Sequence, residues 1–478
     1  NNYNVGVGYS AGGAVTTGVS NTLVGGQTGE SITTGNYNSF VGARAGDAIN
    51  TGSNNVAVGW ATLSADTKGD KTVALGRSAL GSQNFTTATD TYNVAVGYTA
   101  GLSITTGIQN VLIGGLTGDA ITDADFNTAV GHGSLSQNSL GSKNTALGTF
   151  SLLNVNPATA ADTFNVGVGY GAGQNVSTGI KNVIVGGQAA DALTTGSYNV
   201  AIGDFALSTD DVGSRSVAVG ANALFAQNYA TATDGYNVAV GMNAGLSVTT
   251  GIRNVLLGGL SGDALTDADQ NVAVGYGALT SDTLGSNSVA VGNNTLESQN
   301  FTTGTDSFNV AVGVNAGNAV TTGVQNTLIG GLAGDALTDA DFNVAVGIGA
   351  LGADTLGSRT VAIGSGALDS QNFTTATNTY NVAVGFEAGT AVTTGVDNTF
   401  IGGLAGDGTN DGTENVAVGK SALSGNCGDN NVAVGKDSLE VTTGSNNVAV
   451  GMSAGKGITS GGANNLLGKD AGDIIETG

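Results

Sequence analysis

The sequence predicts an all-β protein, a β-solenoid wound from short coils, on three observations. The first is a phrase that keeps returning. Asn271 opens NVAVGYGAL, Asn93 opens NVAVGYTAG, Asn199 opens NVAIGDFAL and Asn343 opens NVAVGIGAL. The second is spacing. The Gly closing each N-x-x-x-G phrase falls at Gly8, Gly25, Gly42, Gly59 and Gly76, 17 residues apart, and then at Gly97 after a step of 21. The third is composition: 82 Gly, one Pro and 10% charged residues beside 40% hydrophobic ones. That palette suits short strands and tight turns, with apolar material to bury and few runs that would make an amphipathic helix.

The register runs the length of the chain. Three steps of 17 and one of 21 make a super-period of 72, seen in Gly220, Gly292 and Gly364. After Gly385 the long step disappears and the marks run Gly402, Gly419, Gly435, Gly451 and Gly468, giving 27 units. A period of 17 is too short for helical hairpin repeats or propeller blades, which take more than about 30 residues. One continuous solenoid over residues 1–478 is expected. Leading coils occupy 1–76, four-coil super-repeats 77–148, 149–220, 221–292 and 293–364, and trailing coils 365–478. At about 4.8 Å per coil the rod would be on the order of 130 Å long.

Within each coil NVAVG is the strand, so Val272 and Val274 share one face and Ala273 takes the other. Val is expected inside. A row of Ala outside then calls for a covering surface, most simply another chain. The leading Asn stands in 23 of 27 units, Thr72, Ser216, Ser288 and Thr360 being the exceptions. Stacked Asn amides can form a hydrogen-bonded ladder along the axis, although each Asn taken singly also reads as a turn residue. One coil of each super-repeat has a large residue where the others have Ala, followed by two Gly: VLIGG at Val111, VIVGG at Val183, VLLGG at Val255 and TLIGG at Thr327. That reads as size compensation in a packed interface.

Charge narrows the function classes. A net charge of −23, from 13 basic and 36 acidic residues, argues against nucleic acid, whose binding needs clustered Lys and Arg. Cys427 is alone and His132 is the one histidine, so neither an intrachain disulfide nor a histidine metal cluster is available. No run reaches the 18 or so apolar residues of a membrane helix, and membrane insertion is not expected. The chain starts and stops inside repeats, which reads as a segment of something longer.

Several motifs invite a chemical reading. Asp47, Asp119, Asp191, Asp263, Asp335 and Asp407 are 72 apart, and GDAITDADFN from Gly118 adds Asp123 and Asp125 to Asp119. Three such carboxylates suit a hard cation such as Ca²⁺. Their spacing matches neither an EF-hand nor the calcium-binding nonapeptide, so solvated turn acids are the better reading and no cofactor is expected. GVGYGAG (Gly167 to Gly173) lacks the Lys-Ser/Thr of a phosphate loop. Thr pairs at Thr16, Thr105, Thr249 and Thr321 lie too far apart for a continuous ice-binding face. At the places equivalent to His132 stand Trp60, Asp204, Tyr276 and Ile348, so that slot reads as surface. With no singular pocket of catalytic groups in view, no enzyme is expected. The long step inserts SQNFTTATD from Ser82 and its equivalents, which place Phe85, Tyr229, Phe301 and Phe373 in one register, with Pro157 once. An aromatic amid Thr and Asn on a protruding loop is a candidate receptor contact. The competing and favoured reading folds it back onto its own coil.

N-V-A-[VI]-G-x-x-A-[LG], repeated near every 17 residues over almost the whole chain, resembles the tail-fibre repeats of marine bacteriophages. It is also similar to the S-V-A-I-G coils in the heads of trimeric autotransporter adhesins. The resemblance implies a left-handed parallel β-roll, an intertwined homotrimer and a role in attachment. No self-cleaving C-terminal chaperone domain, coiled-coil stalk or barrel anchor is found in the sequence, and the strict 72-residue period favours a rigid shaft. The expectation is therefore the shaft of a phage tail fibre in the virion. It would meet a host receptor or glycan through this or other segments, and tail or baseplate proteins through its ends. A bacterial surface adhesin and a calcium-stabilised extracellular β-roll are the alternatives.

Overall fold

The computed structural model describes residues 2–473; Asn1 and residues 474–478, in the leading and trailing coils, lie outside the described residues. Among the described residues every regular element is a β-strand, and the three-residue strands at the NVAVG phrase number 27. Within each of two units, Asn1–Tyr236 and Asn237–Gly478, neighbouring coils pair these strands in parallel. Leu256 faces Ala273, which faces Ala290. The chain is thus a parallel β-solenoid with the 17-residue spacing read from its sequence. It divides into two compact units, Asn1–Tyr236 and Asn237–Gly478, each built from this same coil.

β-branched Val holds the strand extended, and the register Gly ends it. Gly275 has φ +139°, and a Cβ there would sit 2.2 Å from the carbonyl oxygen of Gly292. No other residue fits that turn. The residue before each ladder position is left-handed whatever its type, as at Tyr92 (φ 49°), Arg215 (61°) and Gln270 (59°). Such residues cost of order 1–3 kcal/mol each in isolation, so the coil-to-coil bonds on either side must hold them there.

The two faces of the strand are the reverse of the expectation. Ala273, Ala290 and their equivalents are fully buried, while the flanking Val are half-buried or exposed on the outside. The interior behind the strand is shallow and is filled from the opposite wall. Where the inward strand residue is Ala129, Leu135 reaches in; where it is Leu112, the matching place is Gly118. A Cβ on Gly118 would lie 2.9 Å from Leu112 Cδ2 and 2.8 Å from Ile121 Cδ1. Size compensation is therefore real, but it lies within the chain's own core. The second Gly of VLIGG, Gly115, takes no part in it.

The Asn ladder is present and buried from Asn21 to Asn447, with Asn4 and Asn464 less covered at its two ends. Asn21 Nδ2 donates to Asn4 Oδ1 (3.1 Å) and to the Gly35 carbonyl of its own coil (2.9 Å). The backbone N–H of Asn38 then donates to Asn21 Oδ1 at 3.0 Å. In the second unit Asn254 repeats this with Asn237 Oδ1 and Ala268 O. Each amide closes its own coil and joins the next, and a hydrogen bond of this kind contributes about 1 kcal/mol net. A second, outer ladder runs through hydroxyls: Thr16, Thr105 and Thr321 each donate to the carbonyl of the residue 17 further on.

The four breaks in the Asn ladder coincide with the long coils, and a buried network replaces it there. Gln83 Nε2 donates to Asp66 Oδ2 (2.6 Å) and Thr72 Oγ1 (3.2 Å), while Asn93 Nδ2 donates to Gln83 Oε1 (2.9 Å). The other oxygen of Asp66 accepts the N–H groups of Gly69 (3.0 Å) and Phe85 (3.2 Å). Asp282, Ser288, Gln299 and Phe301 repeat the arrangement, as do Asp354, Thr360, Gln371 and Phe373. At the long coil between Gly148 and Gly169 the whole set is exchanged. Asn138, Asn144, Val155 and Pro157 stand there, with Asn144 restored to the ladder through Asn127 Oδ1.

Candidate interaction face

The inversion of the strand puts its apolar residues outside. Four columns share that face: the left-handed residue before the ladder Asn, the two outer strand residues, and the residue after the register Gly. In the first unit 20 of 22 exposed large apolar side chains belong to these columns, and in the second 15 of 17. Apolar exposure on this chain is therefore one face of each unit, with aromatics such as Tyr98 (52% exposed) and Tyr276 (60%) at its margin. Exposed apolar side chains gathered on one face make that face the candidate for an interaction.

Charge is segregated on the same lines. By register only Asp204, Asp397 and Glu414 of the 36 acidic residues fall in the four columns, against ten of the 13 basic ones. Many of those cations are already engaged. Lys71 binds Asp90 at 2.6 Å and lies 5.0 Å from the Tyr92 ring centroid; Lys143 does the same with Asp162 and Phe164. Arg215 pairs with Asp234 and stacks over Tyr236. The hydrogen bond to Asp90 holds the Lys71 ammonium above the ordinary lysine range. These exposed pairs clamp the ends of the long coils and present little free charge to a partner.

The candidate receptor-contact aromatics do not lie on the surface. Phe85, Tyr229, Phe301 and Phe373 are only 4–7% exposed, folded onto their own coils behind the network just described. The loop tips show solvent Thr86 and Thr87 instead. Asp123 and Asp125 have separate partners, and the buried Oδ1 of Asp119 has none. Asp123 accepts from Thr106 Oγ1 and Asp125 from the Ile108 N–H at 2.7 Å. Asp119 is half-buried elsewhere, beside His132, and desolvation pushes its carboxyl pKa up. Asp123 and Asp125 line a groove with Asp162, and no group of three or more candidate ligands suited to a metal occurs among the described residues. The 72-spaced Asp are half-buried rather than fully solvated, and burial likewise raises Asp191 and Asp335. His132 sits edge-on to Phe150, ring centroids 5.7 Å apart.

Sequence reasoning missed the buried Asp66, Asp210, Asp282 and Asp354. Their signal was there: a 72-residue spacing shared with the Asn-ladder exceptions and the Gln of SQNF. The fold and face define a β-solenoid repeat protein, an architecture typical of structural proteins. No family model matches the chain, and no curated protein matches it.

Proposed function

We propose that this chain is a structural fibre protein: the rigid shaft of a homotrimeric bacteriophage tail fibre, carried on the virion and used in host attachment. It is read as a scaffold with no catalytic role. The apolar outer face of the strands, uncovered among the described residues, is the observation that carries the reading. Three copies meeting through such faces would bury them and leave the acidic loops in water, where like charge limits lateral clumping. Receptor or glycan contact and attachment to tail or baseplate proteins are assigned to loops and to adjoining segments.

The test is the particle mass in solution by light scattering, with and without a calcium chelator. A mass near three times 46.4 kDa that the chelator leaves unchanged is the expected result. A monomer at micromolar concentration overturns it, and unfolding on chelation turns the acidic turns into calcium ligands.

A further inference from the structure

Most glycines of this chain are required by the chain itself: they hold positive φ, or a Cβ would strike a neighbouring coil. A Cβ at Gly26 or Gly304 would meet nothing within 4 Å, but one set recurs in register. Gly115, Gly259, Gly331 and Gly403 occupy the place after the register Gly and have ordinary φ. A Cβ at Gly331 or Gly403 would meet nothing closer than 3.9 Å, and at Gly115 and Gly259 nothing closer than 3.7 and 3.6 Å. Gly187 belongs to the same register, and its only close neighbour would be the mobile end of Asp204. All five lie 72 apart, each on the apolar face of its own unit, and nothing in the surrounding contacts explains why a side chain is missing there. The preceding coil carries a large exposed side chain at the same place, such as Tyr98, Met242 or Phe386.

We infer that these glycines are notches that admit a side chain of a second copy of this chain, so the strand faces of two copies interlock once per super-repeat. The inference rests on the self-association proposed above and specifies its contact. Two observations select a second copy over any other occupant. Within each unit the notches recur every four coils, about 19 Å along the axis, and only a partner with the same repeat meets successive notches equivalently. The face is also nearly free of carboxylates, so two copies of a chain at −23 can approach there without opposing their acids. A large residue placed in a notch collides with the partner while leaving the fold of its own chain unstrained.

The experiment is the full chain carrying Gly259→Trp, Gly331→Trp and Gly403→Trp, compared with a control carrying Thr302→Trp and Thr374→Trp on the loop tips. Dissociation is followed by light scattering across a dilution series. The notch variant keeps the far-UV circular dichroism of the wild type and dissociates at roughly tenfold or more higher concentration, since each overpacked contact opposes assembly. The control assembles as the wild type does. An unchanged dissociation point in the notch variant, or its loss in the control alone, overturns the inference. Hydroxyl-radical footprinting of the wild type needs no variant: Met242, Tyr276 and Phe386 become protected in the assembled particle, and continued reactivity there overturns the notch. A wild type that is monomeric at all concentrations refutes the self-association itself, a result separable from either of these.

Discussion

Replacing Gln299 by Val tests whether the buried network of the long coil acts as one unit. Gln299 Nε2 donates to Asp282 Oδ2 at 2.6 Å, and Asn309 Nδ2 donates to Gln299 Oε1 at 2.9 Å. Asp282 is fully buried. Losing a hydrogen bond to a charged acceptor costs about 1.5–3 kcal/mol, and the weakened Asn309 amide adds about 1 kcal/mol. The sum, about 3 kcal/mol, corresponds to roughly a hundredfold loss of amide-exchange protection. The reporter is the N–H of Gly285, which donates to Asp282 Oδ1 at 3.0 Å. Local exchange is the right assay because unfolding of a solenoid need not be all-or-none. The chain also supplies its own rescue. Adding Asp282→Asn, Ser288→Asn and Phe301→Pro recreates the set Asn138, Asn144, Val155 and Pro157. In that set Asn138 Oδ1 accepts the Gly141 N–H at 2.8 Å, and Pro157 has no N–H that would need an acceptor. The fourfold variant should regain protection to within about tenfold of wild type, a residual of about 1.4 kcal/mol. If Q299V alone leaves Gly285 protection unchanged, or the fourfold variant is no better than the single one, the coupling is refuted.

Three further outcomes follow from the core and the loops. Leu112→Ala should cost about 2–5 kcal/mol locally, and adding Gly118→Leu should restore most of it, because Ala129 and Leu135 already form that pair; hydrogen exchange in coils 111–148 reads both. Burial raises the Asp210 and Asp282 carboxyls, so the folded coil holds these protons more tightly than the unfolded chain. Protection at Gly213 and Gly285 should therefore rise as pH falls through their folded pKa toward the ordinary carboxyl value of 3.8, while Gly141, beside the neutral Asn138, stays flat. Phe373→Ala removes a ring that is 7% exposed and should cost about 3 kcal/mol at the loop, read as faster proteolytic nicking at residues 374–376.

Period and phrase made the solenoid legible, because a parallel coil repeats its hydrogen bonds at fixed spacing and leaves that spacing in the sequence. The Asn ladder was legible for the same reason. Which way NVAVG faces was not. Alternation separates Val272 and Val274 from Ala273 but cannot tell inside from outside, and the answer depends on Leu135 or Gly118 reaching from the far wall. The same blindness hid the face: exposed Val columns read as core until the coil is closed. Phe85 and its equivalents were placed in the correct register, yet their burial depends on Gln83 and Asp66, which lie at different points of neighbouring coils. The left-handed residues before each Asn gave no signal, since Tyr, Lys, Gln and Asp all occupy that place.

The asparagine ladder also has a direction. The Oδ1 of Asn21 receives Asn38, and the Oδ1 of Asn38 receives Asn55, so each amide oxygen faces the coil that comes later in the chain. A coil emerging from the ribosome meets acceptors already set by its predecessor, and it closes a loop of only 17 residues to reach them. Folding in that order would keep pace with translation, one turn behind it. Lengthening the gene adds turns without adding any contact more distant in sequence, so a longer chain takes more time to finish while each step stays as easy as the first.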